Sequence, residues 1–195
     1  MRVLLLAVGL LLAGVAAYGL GVALRPAPEF GGTALQNPPH VTDLMLVRGD
    51  GTELLLSDAL EETTTLVFFG FTRCPDVCPI TMARLARLYE DLGEPDDLKV
   101  AMITVDPEFD VPEHLHTYVT AFHPDFLAFS GSNAQIATAA RAFYVGYAGI
   151  GSESFTHTDV VAILDRDGRL RYVYSQGNLP HLQADLPVIL AQRGF

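Results

Sequence analysis

The chain has no tryptophan, only two cysteines among its 195 residues, and few cations: 12 Lys and Arg stand against 23 Asp and Glu, a net charge of −11. Each scarcity excludes something. A polyanion needs a basic surface, so nucleic acid is excluded as a partner. Without tryptophan there is no peroxidase site of the glutathione-peroxidase type. No Thr stands three residues before either cysteine in a PxxxTxxC pattern, which removes the peroxiredoxin arrangement as well. What is abundant is apolar: half of the residues are hydrophobic, ample for the core of one domain once the N-terminus is set aside.

Both cysteines lie in one stretch, LVFFGFTRCPDVCPITMARLARL, from Leu66 to Leu88. Leu66 to Phe69 is a short apolar, β-favouring run of the kind that makes a buried central strand. The strand pattern fades after Gly70. From Ile80 onward Met82, Leu85, Leu88, Tyr89 and Leu92 recur at helical spacing, and Gly93 stops the run. The stretch therefore reads as strand, tight turn and helix, with Cys74 and Cys78 at the turn. A helix N-terminus favours a thiolate over a thiol, and Pro79 suits a first helical turn. Cysteines four apart at such a turn can share a metal, or form a disulfide if the turn is tighter than a regular helix. The competing reading is a pair of inert, buried cysteines.

Val3 to Leu24 carries no charge. As a helix its 22 residues would span about 33 Å, enough to cross a bilayer. The apolar run continues past the small-residue site Val15-Ala16-Ala17, which favours an uncleaved anchor over a removed signal peptide. It contains no cysteine and so is no lipoprotein signal. Arg2 in front of it suits an N-terminus left in the cytoplasm, with the rest on the outer, periplasmic side. Residues 1–25 are thus expected to be a transmembrane anchor, 26–40 a Pro/Gly-rich linker ending in an exposed His40, and 41–195 the folded domain.

Within that domain Val41 to Leu56 reads as a hairpin around Arg48-Gly49-Asp50-Gly51, and Ser57 to Glu62 as a short connection. Val100 to Val105 is a second buried strand, closed by Asp106-Pro107-Glu108-Phe109-Asp110. Asp106 is placed either to order the cysteine turn or to cap its own. A helix over Glu113 to Phe122 carries His114 and His116, which with His123 read as surface residues. Phe126 to Phe129 is a strand, Ala134 to Tyr144 a helix, and Gly146 to Ser154 a Gly/Ser-rich loop. Val160 to Leu164 and Arg169 to Tyr174 form a hairpin across Asp165-Arg166-Asp167-Gly168. Leu182 to Leu190 is a last helix that Pro187 starts, kinks or shortens. Strands alternating with helices imply an α/β mixed sheet with flanking helices, and a Cys pair at a strand-to-helix turn plus a closing hairpin describes a thioredoxin-like fold. In that arrangement the start of the last hairpin lies beside the cysteine turn, which makes His157 a candidate third member of the site, the competing reading being a histidine satisfied inside its loop.

These residues resemble the Sco/SenC family of copper-binding assembly factors for cytochrome c oxidase. The resemblance is carried by Phe69-Gly70-Phe71-Thr72-Arg73-Cys74-Pro75-Asp76-Val77-Cys78-Pro79, by Val105-Asp106-Pro107-Glu108-Phe109-Asp110, and by His157-Thr158 eight residues before Asp165. It runs from about Val41 to Leu190. It implies that Cys74, Cys78 and His157 bind copper. It further implies that the domain delivers copper to the dinuclear centre of oxidase subunit II, or reduces the thiols there, with a second copper donor as a further partner. One departure is visible. The family often has an acidic residue just before the histidine, and here it is Thr156, leaving Asp159 or a backbone carbonyl to orient the ring.

Two thiolates and one imidazole suit Cu(I), whereas Cu(II) wants a further ligand such as water or a carboxylate. In an oxidising compartment the cysteines can also pair, so metal loading requires prior reduction. The alternative activity is therefore a thiol-disulfide oxidoreductase using Cys74 and Cys78 as a dithiol.

Overall fold

In a computed structural model of the chain the structure describes residue 14 and residues 29–60, 62–148 and 156–192. Apart from residue 14, the expected anchor at Val3 to Leu24 lies outside the described residues. Among the described residues no helix is long and apolar enough to cross a membrane.

The domain opens with β1 (Thr33–Ala34), β2 (Met45–Arg48), β3 (Glu53–Leu55) and the short helix α1 (Leu56–Leu60). It continues with β4 (Thr64–Gly70), α2 (Val77–Asp91), β5 (Leu98–Thr104), α3 (Pro112–Thr120), β6 (Leu127–Ser130) and α4 (Asn133–Ala142). It closes with β7 (Tyr147–Ala148), β8 (Thr156–His157), β9 (Val160–Leu164), β10 (Leu170–Ser175) and α5 (Leu182–Leu190). Eight strands form one mixed sheet in the order β1-β10-β9-β4-β5-β6-β2-β3, and β7 pairs with β8 in a separate ribbon. This is the expected α/β architecture.

The strand before the cysteines sits at the centre. All seven residues of β4 are buried; it runs parallel to β5 on one side and antiparallel to β9 on the other. A strand covered on both faces reads as continuous apolar sequence rather than as alternation, hence LVFF. Its alternate side chains serve two layers. Phe69 meets Phe143 with ring centroids 5.2 Å apart. Phe68 and Gly70 turn to the other face, toward Met102 and Cys78.

Some segments depart from expectation. Thr33–Ala34, inside the expected linker, pair with β10 as an edge strand. Gly31 is tied to the domain as well: its N–H donates to Asp185 and its carbonyl accepts from Asn178. Two residues carry no periodicity, so nothing local announces this strand; the exposed edge of β10 supplies it. The expected connection at Ser57 to Glu62 contains most of α1. The Gly/Ser-rich loop begins as a strand, Tyr147 opposite His157 and Ala148 opposite Thr156. Pro187 lies inside α5, which runs on to Leu190.

Candidate metal centre

The cysteine turn is held from below by the loop after β5. Asp110 is fully buried. Its carboxylate accepts the Thr72 N–H at 3.0 Å, the Thr72 hydroxyl, and the Thr104 hydroxyl at 2.7 Å. Asp106, also buried, pairs with the Arg73 guanidinium, which lies 4.3 Å over the Phe109 ring. Of the two roles open to Asp106, the structure gives it the ordering of the cysteine turn through Arg73. Asp110 was not singled out from the sequence. Its signal was the last of the three carboxylates of Asp106-Pro107-Glu108-Phe109-Asp110, a spacing that puts Asp106 and Asp110 under one turn.

Cys74 is half-buried on the turn, Cys78 is buried in the first turn of α2, and both are free. Asp76, at the cap position of α2, makes no side-chain capping bond. The Cys78 N–H donates instead to the Cys74 sulfur at 3.4 Å, so sulfur takes an amide that a capping oxygen ordinarily takes. Gly70 makes room for the second sulfur. A Cβ there would stand 3.1 Å from Cys78 Sγ and 2.7 Å from the Phe68 ring.

His157 arrives on β8, on the side of α2 that carries Cys78. Its Nδ1–H donates to the Thr158 carbonyl at 3.1 Å. A carbonyl can only accept, so Nε2 is left with its lone pair, and Nε2 stands 3.6 Å from Cys78 Sγ. A backbone carbonyl thus orients the ring where the residue before it is Thr156. Phe71 and Phe68 meet the imidazole edge-on at 5.7 and 6.2 Å.

Two buried polar atoms have no hydrogen-bond partner among the described residues: the Tyr118 hydroxyl and Asp159 Oδ1. Both border this centre. The charges that Tyr118 faces are Cys78, Cys74 and Asp110, and Asp159 faces Cys78 and His157. Burial is the main reason that the Tyr118 hydroxyl and the Asp159 carboxyl are both pushed up from their ordinary values.

The expectation of a thiolate at the helix N-terminus is corrected at Cys78. Burial pushes this thiol well up, and the neighbouring Cys74 and Asp159 push the same way; a backbone hydrogen bond at Phe71 opposes them. Desolvation of a charge on a fully buried sulfur outweighs the helix end.

The expectation that His123 lies on the surface is corrected too. It is 7% exposed, between the rings of Tyr89 and Phe126 at 4.9 and 5.3 Å. His114 and His116 are exposed as expected. His123, Glu94 and Asp125 are the only three described residues whose donor atoms all lie within 4.8 Å of one another. The donors of Cys74, Cys78 and His157 are therefore gathered less tightly. Their chemistry nevertheless fits a soft metal: two sulfurs and one imidazole lone pair.

The SCO1/SenC family model matches residues 33–186. A SCO2-like protein of Rickettsia prowazekii is 35% identical over 124 residues, 60% of each chain, so this chain spans under two thirds of that relative's length. Copper-bound ScoI of Arabidopsis thaliana superposes with a TM-score of 0.72 at 27% identity, over 80% of this chain and all of that one. Apo Sco1 of Thermus thermophilus gives 0.72 at 38% identity, over 85% of this chain and 99% of the other.

Proposed function

This chain belongs to the SCO1/SenC family, and from that premise we propose that it is a copper metallochaperone whose cargo is held by Cys74, Cys78 and His157. The observation that carries the reading is the 3.6 Å approach of Cys78 Sγ to a His157 Nε2 whose lone pair is free because Nδ1–H is tied to Thr158. Copper bound here is a soft ion on two thiolates and an imidazole, a set that satisfies Cu(I) at low coordination. The residues do the rest. Asp110 and Asp106 keep the cysteine turn in shape through Thr72 and Arg73. Phe68 and Phe71 shield the imidazole. The Cys78 amide offers the Cys74 sulfur a hydrogen bond that strengthens when that sulfur carries charge. Cys74, the more open sulfur, is the side from which an acceptor thiol approaches.

The acceptor in this reading is the dinuclear copper centre of cytochrome c oxidase subunit II, and the chain works on the outer, periplasmic side of a membrane, anchored by residues 1–25. A dithiol activity is the second reading, favoured by two free cysteines on one turn. The raised Cys78 thiol weighs against it as a fast nucleophile at neutral pH.

The test is a Cu(I) titration of the pre-reduced full-length protein against a competing chelator, beside His157→Ala. One tightly bound Cu(I) per chain, lost or greatly weakened in the variant, supports the chaperone. Reduction of an oxidised subunit II fragment should survive the same substitution; if it disappears with copper binding, the division of roles is wrong.

A further inference from the structure

Asp159 Oδ1 is a buried carboxylate oxygen with no donor among the described residues. Such an atom is costly to keep, and native folds retain one where something else fills the place. Gln176 accounts for only part of the group. Its side chain hydrogen-bonds Asp159, while its Nε2 also donates to Thr81 Oγ1 at 2.8 Å, anchoring it to α2 one turn beyond Cys78. Asp159 is in electrostatic reach of both Cys78 and His157.

Asp159 lies two residues beyond His157, in the short link between β8 and β9. Its hydrogen-bond partner Gln176 is held to Thr81, one turn beyond Cys78, so the carboxylate is tied to both elements that carry the donors. The imidazole's orientation is already secured by Thr158, which leaves the Asp159 carboxylate free of that task.

We propose that Asp159 is the fourth donor of the centre, engaged by Cu(II) and left free by Cu(I). The inference rests on the copper reading above and adds an oxidation-state selector to it. Cu(I) is satisfied by two sulfurs and one nitrogen. Cu(II) seeks a fourth, harder ligand in a more tetragonal field, and an anionic oxygen already desolvated beside the ring provides it.

The experiment compares wild type, Asp159→Asn and Asp159→Glu, each as full-length protein. Cu(I) affinity, Cu(II) affinity, the Cu(II) electron paramagnetic resonance spectrum and the thermal midpoint of the metal-free protein are measured. Expected for Asp159→Asn is unchanged Cu(I) affinity, Cu(II) affinity lower by roughly tenfold or more, and a spectrum showing loss of an oxygen donor. The metal-free midpoint should hold or rise, because an unpartnered buried charge has been removed. Asp159→Glu, which keeps the anionic oxygen one methylene further out, should retain part of the Cu(II) affinity, and it carries the test if the Asn variant does not fold. An unchanged Cu(II) spectrum and affinity in Asp159→Asn overturns the proposal while leaving the three-ligand reading intact. Equal losses for Cu(I) and Cu(II) overturn it too, since the residue then acts through the fold. Absence of copper binding by wild type in either state removes the copper reading itself.

Discussion

Two histidine clusters in this molecule look alike on paper and differ in which nitrogen is free. His123 lies with Glu94 and Asp125 in the tighter cluster, donors within 4.8 Å of one another. Its Nδ1, however, accepts the Asp125 N–H at 3.3 Å, so the proton of the neutral ring is on Nε2, facing Glu94 at 3.9 Å. Nδ1 is taken by the fold and Nε2 carries the proton, so the neutral ring offers no open lone pair and serves as a packing element between Tyr89 and Phe126. His157 is the reverse case. Its Nδ1–H is committed to Thr158, and the remaining lone pair points at a sulfur. Proximity of donors does not make a metal site. A ligand histidine also needs a lone pair held in place by the other nitrogen.

The largest expected effect separates the two histidines directly. His157→Ala should weaken Cu(I) binding by at least about a hundredfold, beyond the range seen when only outer partners of ligands are removed. His123→Ala should leave copper affinity and every metal stoichiometry unchanged, yet cost about 2–4 kcal/mol of stability through the cavity it leaves. Chelator competition and chemical denaturation of both variants check this; a metal equivalent lost in His123→Ala would break the contrast.

The second test uses the proton on Cys78. Because burial raises this thiol above its ordinary value, it is protonated at neutral pH, and metal binding must expel that proton. Cu(I) affinity should then rise by about tenfold for each pH unit as the cost of deprotonation falls, levelling only above the raised value. The His123 cluster has no such thiol. A pH-independent Cu(I) affinity between pH 6 and 8 would mean that Cys78 is already ionised or is not a ligand.

Gly70→Ala probes the space for the sulfur. The added methyl meets the Phe68 ring and Cys78 Sγ, so about 1–3 kcal/mol of stability should be lost, with copper affinity falling alongside. Denaturation and titration of the same preparation show whether the two losses travel together.

The smallest effect belongs to Tyr118→Phe. The hydroxyl is buried without a partner among the described residues, so its removal should leave the metal-free protein as stable or up to about 1 kcal/mol more stable. A clear destabilisation, read from the thermal midpoint, would show that the hydroxyl has a partner in solution.

Much of the centre was legible before any coordinates. Phe68, Cys74, Pro75, Cys78 and Pro79 announce a strand, a turn and a helix through short-range periodicity and the turn chemistry of proline. The turn at Asp165 to Gly168 was equally plain: Gly168 takes a φ of +72°, and the Asp165 carboxylate accepts the Asp167 and Arg169 amides. The edge strand at Thr33–Ala34 was not legible, because two residues hold no pattern and the partner strand lies far along the chain. Nor was the clamp by Asp110, whose sequence neighbours say nothing of Thr72. The burial of His123 was missed for the same reason: its covering rings come from α2 and from beyond α3.

By itself, then, the sequence determined the order of the main strands and helices and the turn that carries both cysteines, since these rest on interactions within a few residues, and it named the candidate donors. Only the tertiary structure decided that His157, 79 residues from Cys78, meets it, that Thr158 rather than an acid orients the ring, that one Asp159 oxygen has no partner among the described residues, and that burial pushes the Cys78 thiol up. Those outcomes depend on which strands pair and on how much water each group loses, and both are set by neighbours that are distant along the chain.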